Sequence, residues 1–240
     1  MLKLVNLSKK FGEFTAVDNI NLHIKKSELF GFLGPNGAGK TTTIKMMVGL
    51  YQPTDGSIFL DDTDIKSDPI KVKSSIGYVP DQPFLYDKLS GKEFLYFCGG
   101  LYGLPPNRIK SKIEEFVELL KIGDWLNKRT EEYSQGMKQR ITIASAFLHE
   151  PGLIIIDEPM VGLDPQSALI VKKVLQQKVK EGTTVFMSTH SLNVVEEICS
   201  RVGIINYGKL VYDVSIQELK SLLTEHNRTL EQLFISLTQT

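Results

Sequence analysis

Apolar residues recur along this chain with two different periods, and the change of period divides it. Between Ile20 and Ile24 they alternate with polar residues at period two, the pattern of a half-buried strand. Gly56-Ser57-Ile58-Phe59-Leu60 is a further strand, entered through the turn Pro53-Thr54-Asp55-Gly56. Leu29-Phe30-Gly31-Phe32-Leu33, Leu153-Ile154-Ile155-Ile156 and Val185-Phe186-Met187 are instead continuous apolar runs, as strands covered on both faces require. From about 85 to 150 the period lengthens. Ile109, Ile113, Phe116, Val117 and Leu120 fall at i, i+4, i+7, i+8 and i+11, one face of a helix that Gly123 is expected to close. A helix over 166–181, ending at Gly182, separates the last two apolar runs. Strand and helix in alternation predict a mostly parallel sheet, preceded by a small sheet and interrupted by a helical insertion. The expected divisions are 1–84, 85–149, 150–214 and a helical tail over 215–240.

The first apolar run leads directly into Gly34-Pro35-Asn36-Gly37-Ala38-Gly39-Lys40-Thr41, followed by Thr42 and Thr43. Glycine, four residues, glycine, lysine and a hydroxyl residue form a phosphate-binding loop. A polyphosphate has to be wrapped by backbone N–H groups, and glycines let the backbone come that close. Lys40 would reach the β and γ phosphates and Thr41 would offer its hydroxyl to Mg2+, while a helix starting near Lys40 would aim its positive end at the anion. The strand before the loop and the helical stretch Ile44-Lys45-Met46-Met47-Val48 after it supply the context such a loop needs. ATP or GTP binding follows.

Composition limits what is attached to that loop. With 28 basic and 28 acidic residues the formal charge is zero, so no global field draws nucleic acid, and no nucleic-acid partner is expected. Cys98 and Cys199 lack C-x-x-C spacing and are expected to be inert core thiols in a reducing cytosol. No signal peptide is expected at Met1-Leu2-Lys3-Leu4, and no apolar run approaches the roughly 18 residues needed to cross a bilayer.

The run 153–156 delivers Asp157 and Glu158 to a strand end. In phosphate-loop enzymes a carboxylate there helps hold Mg2+, which assigns Asp157; Glu158 is then free to orient and polarise a water in line with the γ phosphate. Shortly before it, Tyr133-Ser134-Gln135-Gly136-Met137-Lys138-Gln139-Arg140 resembles the signature motif of ATP-binding-cassette (ABC) ATPases, commonly Leu-Ser-Gly-Gly-Gln, with Gln135 in place of the first glycine. The resemblance covers about residues 2 to 215. It implies an α/β fold: a P-loop NTPase (RecA-like) core with a mostly parallel sheet, an antiparallel β subdomain and an inserted α-helical subdomain.

The resemblance also implies roles. Ser134 and Gly136 would contact the γ phosphate held by the opposite subunit. Val161-Gly162-Leu163-Asp164-Pro165 is similar to the D-loop, whose Asp164 would communicate across the dimer; Met160 departs from the usual threonine. His190 resembles the switch histidine, bridging γ phosphate and catalytic carboxylate. Phe11, in Lys9-Lys10-Phe11-Gly12, resembles the aromatic that stacks on adenine. Ile76 to Tyr86 resembles the Q-loop, with Asp81 at the usual glutamine position and Gln82 one later; either could approach Mg2+ or the water. The expected catalytic residues are thus Glu158, His190 and Lys40, and the cofactors ATP and Mg2+.

The implied activity is Mg2+-dependent ATP hydrolysis powering a transporter through ATP-driven dimerisation. The expected partners are transmembrane permease subunits and a second ABC ATPase, as homodimer or heterodimer, at the cytoplasmic face of the cell membrane. The Tyr-Ser-x-Gly-Met signature and the absence of a large C-terminal regulatory domain favour an exporter. A soluble single-cassette ATPase serving an assembly process is the alternative. A GTPase would need Asn-Lys-x-Asp, and Asn127-Lys128-Arg129-Thr130 lacks the final aspartate.

Overall fold

The computed structural model describes residues 1–225 and 229–238. Its antiparallel sheet comprises β1 (Leu2–Phe11), β2 (Phe14–Ile24), β4 (Asp55–Leu60) and β5 (Thr63–Asp64), in the order β2-β1-β4-β5. The second sheet comprises β3 (Leu29–Leu33), β6 (Ile76–Val79), β7 (Leu153–Asp157), β8 (Thr184–Thr189), β9 (Arg201–Asn206) and β10 (Lys209–Ser215), in the order β10-β9-β3-β8-β7-β6. All its pairings are parallel except β9 with β10. Each parallel step needs a crossover. These are supplied by α1 (Lys40–Met47), α2 (Pro69–Ser74), α6 (Pro165–Lys180), α7 (Leu192–Ile198) and the insertion α3 (Gly91–Leu101), α4 (Pro106–Leu120) and α5 (Gln135–Phe147).

Strand alternation sorts the central sheet's side chains into two cores. Phe30, Phe32, Leu153, Ile155 and Phe186 pack with the antiparallel sheet and α1 on one face. Leu29, Leu33, Ile154, Ile156, Val185 and Met187 pack with α3 to α6 on the other. That is why these strands read as continuous apolar runs: β3, β7 and β8 are buried at every position.

The helix expected to close at Gly123 ends at Leu120 instead, with Lys121 at a φ of 51° as its cap. Arg140 explains the difference. Its guanidinium donates to the carbonyls of Leu120 and Lys121 at 3.2 Å each, satisfying end groups that a glycine turn would otherwise satisfy. Beyond β10 the tail forms α8 (Ile216–Glu225) and α9 (Leu230–Thr238); the rest of the expected tail, 226–228 and 239–240, lies outside the described residues. Among the described residues no helix is long and apolar enough to cross a membrane. The two cysteines are unpaired, and burial pushes the Cys199 thiol up to about 12 and that of Cys98 to about 11.

Candidate functional site

Three adjacent strands of the central sheet end at one place. β3 runs into the phosphate loop, β7 ends in Asp157 and leads to Glu158, and β8 ends in Thr189 and leads to His190. A cavity of about 390 Å3 opens there, lined by Phe14, Ala16, Asn36, Gly37, Gly39, Lys40, Thr41, Thr42, Asp81 and Glu158.

Glycine shapes the loop for two different reasons. Gly39 is the N-cap of α1 at a φ of 107°, and a Cβ there would lie 2.5 Å from the Ala16 carbonyl oxygen. Gly37, at a φ of 79°, has no heavy atom within 4 Å of such a position. The first is pressed against protein, while the second leaves room for a ligand. No side chain caps α1, so its orphan N–H groups remain for an anion at the helix's positive end.

Lys40 is buried, and its ammonium donates to the carbonyls of Gly34 at 2.7 Å and Pro35 at 3.1 Å, with Glu158 Oε1 at 3.6 Å. Glu158 Oε2 lies 3.0 Å from His190 Nδ1. Glu158 is therefore held between a lysine inside the site and a histidine at its rim. Its backbone has a φ of 49°, a left-handed conformation that costs a non-glycine residue about 1–3 kcal/mol. Ser188 fixes that turn: its carbonyl and hydroxyl oxygens accept the Glu158 N–H at 3.3 and 3.2 Å. The same hydroxyl donates to Asp157 Oδ1.

Asp157 is fully buried, and its other carboxylate oxygen, Oδ2, has no hydrogen-bond partner among the described residues. Burial pushes its carboxyl above the ordinary range, opposed by the hydroxyls of Ser188 and Thr41. An ionised oxygen so placed is costly unless a cation completes it. An unpartnered carboxylate oxygen on a side chain that also feels the Thr41 hydroxyl fits Mg2+, a hard ion that prefers oxygen ligands and shares its coordination with phosphates. Among the described residues no group of three or more His, Cys, Asp or Glu side chains is placed to hold a metal ion.

Asp81 lines the cavity; Gln82 is exposed, does not line it, and donates its N–H to Asp81 Oδ1 at 2.9 Å. Phe11 is not on the wall either; its ring meets Tyr51 edge-on at 5.6 Å. Ser134, Gly136 and Asp164 form a separate surface. Tyr133 anchors it by donating to the Trp125 carbonyl at 3.0 Å and accepting the Gly91 N–H at 3.1 Å. Ser134 caps α5, accepting the Met137 N–H at 3.3 Å. Asp164 caps α6 through Ser167, which holds its carboxyl below the usual range, and a Cβ on Gly136 would stand 3.2 Å from Ser167 Oγ and 3.6 Å from Asp164 Oδ2. Sequence patterns did not mark Phe14 or Ser188. Neither belongs to a motif, and Ser188 gains its place only through the register that sets Asp157 against it.

The family model described as "ABC transporter" matches residues 17–161. The bacitracin transport ATP-binding protein BcrA of Enterococcus faecalis is 40% identical over 220 residues, 91% of this chain and 70% of that protein. The ABC transporter ATP-binding protein NatA of Bacillus subtilis is 35% identical over 241 residues, 98% and 97% of the two chains. A solved ATP-binding subunit of an ABC transporter superposes with a TM-score of 0.90 at 27% identity, covering 99% of each chain. A dimeric ATP-binding cassette solved in a post-hydrolysis state with ADP and Pi gives 0.82 at 26% identity, covering 90% of this chain and 99% of that one.

Proposed function

The chain belongs to the ABC transporter family, and from that membership we propose that it is the Mg2+-dependent ATP-hydrolysing subunit of a membrane exporter, working as a dimer. The observation that carries the hydrolytic role is Glu158, held at the cavity wall between Lys40 at 3.6 Å and His190 at 3.0 Å. Lys40 exchanges its loop carbonyls for β and γ phosphate oxygens. Glu158 accepts a hydrogen bond from the attacking water and aligns it with the γ phosphorus, and His190 fixes the carboxylate's direction. Asp157 and Thr41 would hold Mg2+, which when bound supplies charge neutralisation across the phosphates. Asp81, on the cavity wall, would approach that cation or the water. Catalysis is by positioning and charge, with no covalent intermediate.

Ser134 and Gly136 stand apart from the cavity of their own chain. In this reading they complete the site of a second copy or a sister ATPase, with Asp164 beside them. Nucleotide then joins two chains and hydrolysis releases them. In this reading the divisions at 84, 149 and 214 separate two parts of one core, an inserted helical unit and a tail. The family relatives named for transport, with the dimeric neighbour, support permease subunits as partners and the cytoplasmic membrane face as location.

Glu158→Gln tests the hydrolytic role. Turnover is expected to fall about 100- to 1,000-fold with nucleotide binding retained, as loss of a general base requires, and light scattering with ATP is expected to register a dimer. Turnover within twofold of the parent would sink the assignment. Purification of the tagged chain from its native membrane tests the transport role: permease subunits are expected, and recovery of soluble proteins alone would overturn it in favour of an assembly ATPase.

A further inference from the structure

Six charged side chains of alternating sign join α4 to the ends of α5 and α6. Arg108, Lys112 and Glu115 belong to α4, Glu150 follows α5, Lys178 is near the end of α6 and Glu181 is its C-cap. Glu150 takes Arg108 on one carboxylate oxygen and Lys112 on the other, the latter at 2.7 Å. Lys112 reaches on to Glu115 at 2.7 Å, and the second Glu115 oxygen accepts from Lys178 at 2.5 Å. Lys178 also holds Glu181 at 2.8 Å. The two lysine side chains are only 17% and 10% exposed. Burial opposes the Lys178 charge, but Glu115 and Glu181 outweigh it, so the ammonium titrates above the usual lysine range. Isolated exposed ion pairs hold little; in a linked, half-buried series, removing one member leaves its neighbour's charge unmatched.

α4 is tied at its other end as well. Arg140 of α5 donates through Nε to the Gly136 carbonyl at 3.3 Å, and through Nη1 to the carbonyls of Leu120 and Lys121 where α4 stops. One helix is thus bonded to the end of α6 through Glu115 and to the Gly136 turn through Arg140. α6 in turn starts at its Asp164 cap, about 24 Å from its far end by helical rise. The buried apolar face of α4, with Ile109, Ile113, Phe116 and Leu120, does not fix a register by itself, because apolar contact is non-directional. Charged hydrogen bonds are directional and do fix it. α4 is therefore a strut between the two helices that present Gly136 and Asp164.

We propose that Glu115 and Lys178 are positioning residues. Through α4 and Arg140 their pair sets how the Ser134–Gly136 turn stands relative to Asp164, and so how well this chain completes the nucleotide site of a second. The inference rests on the reading of that turn as half of another chain's site. Glu115→Gln and Lys178→Met, singly and together in the Glu158→Gln chain, test it by light scattering with ATP and calorimetric titration with ADP. Coupling within an ion-pair network supports an effect of about tenfold. Each single change is therefore expected to weaken ATP-dependent dimerisation about tenfold and ADP binding by less than about twofold. The double variant should be no worse than either single one, and Lys178→Arg should restore the dimer. Dimerisation within about twofold of the parent in both single variants would overturn the proposal. ADP affinity that falls in step with dimerisation would overturn it too, as a general loss of structure, and so would additive losses in the double variant. If the Glu158→Gln chain itself stays monomeric with ATP, the two-chain reading fails and the proposal with it.

Discussion

Replacing Gly39 and Gly37 by alanine, one at a time, separates what holds the phosphate loop from what the loop holds. At Gly39 the methyl group meets the Ala16 carbonyl oxygen at 2.5 Å and Ile205 Cδ1 at 3.3 Å, on a backbone with a φ of 107°. Strain at such a dihedral costs about 1–3 kcal/mol, and displacing packed backbone adds about 1–3 kcal/mol. A loss near 4 kcal/mol lowers the melting temperature of a chain this size by roughly 10 °C. At Gly37 only the strain applies, because the φ of 79° is left-handed but the space is open. About 1 kcal/mol, or roughly 3 °C, is expected there. The Gly37 methyl instead occupies ligand space, and ADP affinity should fall at least about tenfold, equivalent to about 1.4 kcal/mol. Circular dichroism melts without nucleotide and calorimetric ADP titrations give both numbers. If Gly37→Ala melts as low as Gly39→Ala, or Gly39→Ala melts within 2 °C of the parent (a fifth of the roughly 10 °C expected), the division of labour is wrong.

Three further substitutions probe the acidic groups and their neighbour Gln82. Asp157 has a carboxyl raised by burial, so its penalty on the fold is present at neutral pH and fades as pH falls through the raised value toward the ordinary 3.8. Asp157→Asn should therefore melt higher than the parent at pH 7, by a margin that narrows on acidification, while hydrolysis is lost; a lower melting temperature at pH 7 would contradict this. Asp81→Ala should lower Mg2+-dependent hydrolysis more than Gln82→Ala, since only Asp81 lines the cavity. A defect confined to Gln82→Ala would move the register by one residue.

Local features of the chain were legible because they are local in cause. The phosphate loop, the apolar runs of β3 and β7 and the stop of α6 near Gly182 each depend on a few consecutive residues. Features that failed to announce themselves depend on distant partners. Gly123 looked like a helix stop, but Arg140, on another helix, satisfies the carbonyls that end α4 at Leu120. Ser188 is an ordinary strand residue until parallel pairing sets it beside Asp157. Phe14 reaches the cavity wall because pairing with β1 carries it there, and nothing in Phe-Thr-Ala-Val reports that position.

The contacts that set the acidic groups are those of Asp157 with Ser188 and Thr41, and of Glu158 with Ser188, Lys40 and His190. None of these partners comes from the helices α3 and α4 of the insertion. Those two helices are consequently a modular cartridge: they are free to diverge or be exchanged for those of a relative without re-engineering the hydrolytic centre, provided the Asp81 loop before them, the Ser134–Gly136 turn after them and the Glu115–Lys178 pair are kept.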